Sequence, residues 1–152
     1  MSNLEVRIVR LEPVRVASAH GFGPSPEAIA WDKILAFAET KGLLEGPNVR
    51  FFGFNNPNPA TGSPNYGYEQ WITVGPDVQP EGEVEVKDFA GGLYAVTRCQ
   101  LTHITEVWHQ LVQWGEKSQY RRGSHQWLEE AIAPPRTPFD EMVMDLYLPI
   151  VG

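Results

Sequence analysis

Glu129 and Glu130 stand side by side in the segment His125-Gln126-Trp127-Leu128-Glu129-Glu130, and no other stretch holds as much capacity for chemistry. If residues 125–132 form a strand, alternation puts His125, Trp127 and Glu129 on one face and Leu128 and Glu130 on the other. Inside a sheet, one of the two carboxylates must then point toward protein. A buried, unpaired carboxylate costs several kcal/mol unless it is neutral, hydrogen-bonded or met by a cationic ligand. On an edge strand both glutamates are simply solvated, and the residues alone leave both arrangements open. Glu69-Gln70-Trp71 and Asp145-Leu146-Tyr147 likewise set an aromatic residue two places after an acid, at equivalent points of the two halves of the chain.

Other chemistries lack their signatures. There is no glycine-rich phosphate loop, no nucleophile elbow, no HExxH and no CxxC. His20, His103, His109 and His125 are scattered, none three or four apart on a helix, so neither a metal nor another cofactor is expected. Cys99 is the single cysteine and forms no internal bridge, which fits a reducing cytosol. The formal net charge of −7 repels nucleic-acid phosphate, and the densest basic spot is Arg121-Arg122 alone. The first ten residues have no apolar core of a secretory signal, and no apolar run approaches the ~20 residues that span a bilayer. A cytoplasmic protein that binds neither membrane nor nucleic acid is expected. Five Trp, five Tyr and seven Phe in 152 residues point to an aromatic core or a stacked binding pocket.

Periodicity indicates which strands and helices carry these residues. Residues 6–17 read as a strand interrupted at Pro13, and residues 20–24 (HGFGP) as a turn. Ser25, Pro26 and Glu27 open a helix that ends near Lys41-Gly42. Residues 50–55 and 66–74 read as strands around a turn-rich loop, with Glu69 and Trp71 on one face and Tyr68, Gln70 and Ile72 on the other. After a linker over residues 75–82 the pattern restarts. Strands are expected over 84–89 and 93–98 about a bend at Gly91-Gly92. A helix capped by Thr102 and ending at Trp114-Gly115 follows, then strands over 125–132 and 141–150. The order strand-helix-strand-strand occurs twice. This predicts one α+β domain over 1–152, a duplicated module with repeats of about 5–75 and 83–150. Its antiparallel sheet would carry two helices on one face and a central ligand groove where the halves meet.

These residues resemble the GyrI-like effector-binding family, which includes the drug-sensing domains of AraC-class and MerR-class multidrug regulators. The likeness lies in Gly91-Gly92-Leu93-Tyr94-Ala95-Val96, in the helix segment Trp108–Trp114 (WHQLVQW), in Trp127-Leu128-Glu129, and in the closing Asp145-Leu146-Tyr147-Leu148-Pro149-Ile150. The resemblance implies a stand-alone binding domain for small hydrophobic, cationic, drug-like molecules. Glu129 would supply charge. Trp127, Trp71 and Tyr147 would supply stacking surface, with Tyr94 and Tyr68 beside them. Two alternatives accompany this reading. One is a hydrolase of reactive genotoxins with Glu129 as general base. The other is an inhibitor that binds a protein partner, and a weak homodimer is compatible with either. With no DNA-reading helix pair in the sequence, a transcription regulator is not expected.

Overall fold

The computed structural model describes residues 4–46 and 48–152. Their contacts gather into two compact units. One is Pro13–Ala90. The other joins the described residues up to Glu12 to Gly91–Gly152.

The Pro13–Ala90 unit contains β2 (Val14–Gly23), α1 (Pro26–Thr40), β3 (Phe51–Asn55), β4 (Tyr66–Thr73) and β5 (Glu85–Phe89). Its strands pair antiparallel in the order β3-β4-β2-β5. Ser25 and Pro26 open α1 as expected, although the Ser25 side chain makes no capping hydrogen bond. Ala30, Ile34 and Ala38 of α1 are fully buried. The expected turn at residues 20–24 is instead the end of β2, which runs through Gly23. Gly21 serves packing rather than reversal. A Cβ on Gly21 would stand 2.4 Å from the Pro26 carbonyl oxygen and 2.8 Å from the Ile29 Cβ. The bare backbone lets α1 cross at that point. Gly21→Ala is therefore expected to cost about 1–3 kcal/mol, read as a lower urea midpoint at unchanged m-value.

Gly21 also marks which face α1 covers. Its cross-strand partner is Tyr68, followed by Ala19 opposite Gln70 and Ala17 opposite Ile72. These residues and Phe51, whose ring lies 5.2 Å from that of Trp31, belong to the α1 face. Ser18, Phe52, Phe54, Glu69, Trp71 and Lys87 take the other face.

The second unit contains β1 (Arg7–Leu11), β6 (Gly92–Gln100), α2 (Ile104–Lys117), the two-residue β7 (Arg121–Arg122), β8 (Leu128–Ala131) and β9 (Val143–Val151). Its antiparallel order is β1-β6-β9-β8, with β7 on the far end of β9. The Gly91-Gly92 bend holds. Gly92 has φ +150, and a Cβ there would lie 2.6 Å from the His125 ring. That ring, bonded at 2.7 Å to the Leu93 carbonyl, takes the place of regular pairing around residue 125. The expected strand over 125–132 is accordingly confined to β8. Thr102 does not cap α2. It falls within a 3-10 turn, Leu101–His103, and His103 occupies the N-cap position. The helix also continues past Trp114-Gly115 to Lys117, where the Ser118 hydroxyl donates to the Gly115 carbonyl at 2.8 Å. Leu111 of α2 packs on Ala95, Met144, Leu146, Leu148 and Ile150, so alternate residues of β6 and β9 face the helix.

Candidate functional site

On the helix-free face of the Pro13–Ala90 unit, Glu69 is buried and collects four donors. Its Oε2 accepts from Ser18 Oγ at 2.7 Å, from Trp71 Nε1 at 2.6 Å and from Lys87 Nζ at 2.6 Å. Asn56 Nδ2 donates to Oε1 at 3.2 Å. Burial opposes ionisation of this carboxyl, but the bonds from Lys87, Ser18 and Trp71 outweigh it and hold its pKa below the usual range. Trp71 is itself buried, with Phe54 edge-on at 5.1 Å and Phe89 tilted at 5.1 Å. Tyr68, one residue from Glu69, points to the α1 face and is not part of this cluster.

The second unit separates the residues of its own candidate set. Glu129 stands opposite Leu146 and Glu130 opposite Asp145, with Leu128 opposite Tyr147. Because Leu146 belongs to the core beneath α2, Glu129 lies on the helix side, where Trp108 Nε1 donates to it at 2.8 Å. Trp127 packs on Trp108 at 5.5 Å, with the Arg122 guanidinium 5.0 Å from its ring centroid. Leu128, Glu130 and Tyr147 take the helix-free face together with Tyr94. There the Tyr147 hydroxyl donates to Glu130 at 2.6 Å, and both residues are buried. Tyr94 meets Tyr147 edge-on at 5.4 Å, and its hydroxyl donates to the Gln126 carbonyl. Burial pushes the Tyr94 phenol well above its ordinary pKa, so it stays protonated. Glu129 and Trp127 are thus brought together, as are Tyr94 and Tyr147, but on opposite faces of one sheet.

Asp145 has a different part from Glu69 despite the shared acid-x-aromatic spacing. Arg98 grips it through Nε at 2.9 Å and Nη2 at 3.1 Å, and Arg7 adds a contact at 2.9 Å. Tyr147 is left to bond Glu130 instead. Burial, aided by Glu129 and Asp145, raises the Cys99 thiol to about 11, so it is no nucleophile at neutral pH. A cavity of about 160 Å³ beside the end of α2, lined by residues such as Tyr120, Arg121, Arg122 and Ile150, contains none of the carboxylates or tryptophans above. Among the described residues no group of three or more His, Cys, Asp or Glu side chains could hold a metal, and no helix is long and apolar enough to cross a membrane.

Sequence reasoning missed Lys87, Ser18 and Asn56 as companions of Glu69. Lys87 and Ser18 had a findable signal, since alternation on neighbouring strands can bring them to the Glu69 face once the β2–β5 pairing is known. Asn56 lies in a loop and had none. Glu130 was visible as one of a pair, but its face was not.

The GyrI-like small molecule binding domain family matches residues 4–151. No curated protein matches by sequence. The fold is similar to the EcmrR C-terminal domain, with a TM-score of 0.74 at 12% identity over 99% of each chain. The chain spans 57% of EcmrR in its DNA complex. A hydrolase from Listeria innocua has a TM-score of 0.70 at 13% identity, covering 97% of this chain and 92% of that one. SAV2435 bound to tetraphenylphosphonium has a TM-score of 0.64 at 12% identity, covering 98% and 95%. With its family match running through nearly every residue, this chain belongs to the GyrI-like small molecule binding domain family.

Proposed function

We propose that the small molecules bound by this chain are hydrophobic organic cations, held against the helix-free sheet faces. The observation that carries the reading is a buried carboxylate clasped by an aromatic donor in each unit. Glu69 is held by Trp71 and Glu130 by Tyr147, each at 2.6 Å. A carboxylate beside aromatic rings offers a cation both charge and a π face, and the ring attraction alone contributes about 0.5–2 kcal/mol. SAV2435, of similar fold, is bound to such a cation, tetraphenylphosphonium. Glu130 rather than Glu129 takes the pocket-glutamate role in this reading, because Glu130 shares its face with Tyr94 and Tyr147.

Titration calorimetry tests the reading with tetraphenylphosphonium and its neutral analogue triphenylphosphine oxide. The cation is expected to bind in the micromolar range, about −8 kcal/mol, and the neutral compound more weakly. Equal affinities would sink the role of charge. Mass spectrometry of the recovered cation should show it unchanged, whereas turnover would favour the hydrolase alternative. Duplex DNA at physiological salt should show no mobility shift, given the net charge of −7.

A further inference from the structure

The Glu69 carboxylate already meets a cation that belongs to the chain itself. Lys87 Nζ lies 2.6 Å from Glu69 Oε2 and 6.0 Å from the centroid of the Trp71 ring. A carboxylate and an indole face are the two groups by which a protein recognises an organic cation, and one ammonium engages both. The other donors to Glu69, from Ser18, Trp71 and Asn56, are neutral, and they hold the carboxylate in place whether or not Lys87 is present. Lys87 is an exposed member of the group. Its side chain is 40% exposed, against 8% for Glu69, and it extends from β5, the end strand of its sheet, on a flexible four-carbon stem.

We propose that Lys87 is an internal counter-ion that a cationic ligand replaces at Glu69, so that this residue sets which cations the site takes. The inference rests on the cation-binding reading above and adds a selectivity rule to it. A ligand that displaces the ammonium forfeits the Lys87–Glu69 pair, and Lys87 regains water. A small hydrophilic cation offers Glu69 nothing that Lys87 does not. A lipophilic cation also removes its own apolar surface from water beside the half-buried Phe89, and that addition decides the exchange. The lysine thus rejects small cations without contacting them in the bound state.

The test is calorimetric titration of tetraphenylphosphonium into the wild-type chain and the Lys87→Met, Lys87→Arg and Glu69→Gln/Lys87→Met variants. Lys87→Met should bind roughly five- to tenfold more tightly than wild type. Lys87→Arg, which keeps the charge, should not gain, and the double variant should lose the gain. In the wild-type protein, with lysine labelled at ¹³Cε, the Lys87 resonance should move toward its solvent-exposed position as the cation saturates. This second measurement stands even if Lys87→Met folds poorly. Wild-type binding that Lys87→Met leaves unchanged, or a Lys87 resonance that stays put at saturation, overturns the counter-ion role and leaves cation binding intact. Binding by neither wild type nor Lys87→Met overturns the cation reading itself.

Discussion

Glu69→Ala is expected to lower the unfolding free energy by about 2–6 kcal/mol, the sum for two buried donors that lose their shared acceptor. The cost comes mainly from the donors left behind. Ser18 and Trp71 are buried, and without the carboxylate Ser18 Oγ and Trp71 Nε1 lose the acceptor that each now bonds. A stranded buried donor costs about 1–3 kcal/mol, whereas the half-exposed Lys87 can turn to water. Glu69→Gln keeps an acceptor and should cost less. The carboxyl's depressed pKa fixes the sign of the pH dependence. A group titrating lower in the folded state contributes stability above its unfolded pKa, and that contribution fades as pH falls through the folded value. Wild-type stability should therefore decline as pH falls below the ordinary value of 4.5. Glu69→Gln should flatten that part of the profile, as followed by urea melts at a series of acid pH values.

Glu130→Gln should weaken tetraphenylphosphonium at the Glu130 face by about 2 kcal/mol, roughly thirtyfold, and leave binding at Glu69 unchanged, while the fold is retained. Glutamine preserves the shape and still accepts from Tyr147, so the loss reports charge rather than packing. Tyr147→Phe removes the donor and keeps the ring, and it should weaken the cation far less. Glu129→Gln separates the two adjacent carboxylates. Its partner is Trp108 on the α2 side, so a thirtyfold loss there would place the ligand on the helix-covered face instead.

Much of this arrangement was legible in the residue pattern, and the misses have definite causes. Period-two alternation separates Glu129 from Glu130 and Tyr68 from Trp71, and the register confirms both separations. Alternation cannot say which face meets a helix. That depends on partners distant in sequence, such as Leu146 opposite Glu129. Strand pairing across the halves of the chain was also invisible. β1 adds to β6 and β5 adds to β2, so each unit's outer strand comes from beyond the expected repeat boundary. Local chemistry misled at Gly21, where the glycine that usually signals a turn serves instead to seat a helix on a strand. The Lys87 ammonium on Glu69 follows from the β2–β5 register, in which Val16 faces Lys87 and Ser18 faces Glu85.

If a buried carboxylate on the helix-free face meets the charge of a hydrophobic cation, parallel titrations of tetraphenylphosphonium and triphenylphosphine oxide against the wild-type chain and Glu130→Gln will separate charge from shape. The expected result is a loss of roughly thirtyfold for the cation at the Glu130 face and little change for the neutral compound. Equal losses for both ligands, or none for either, would contradict it.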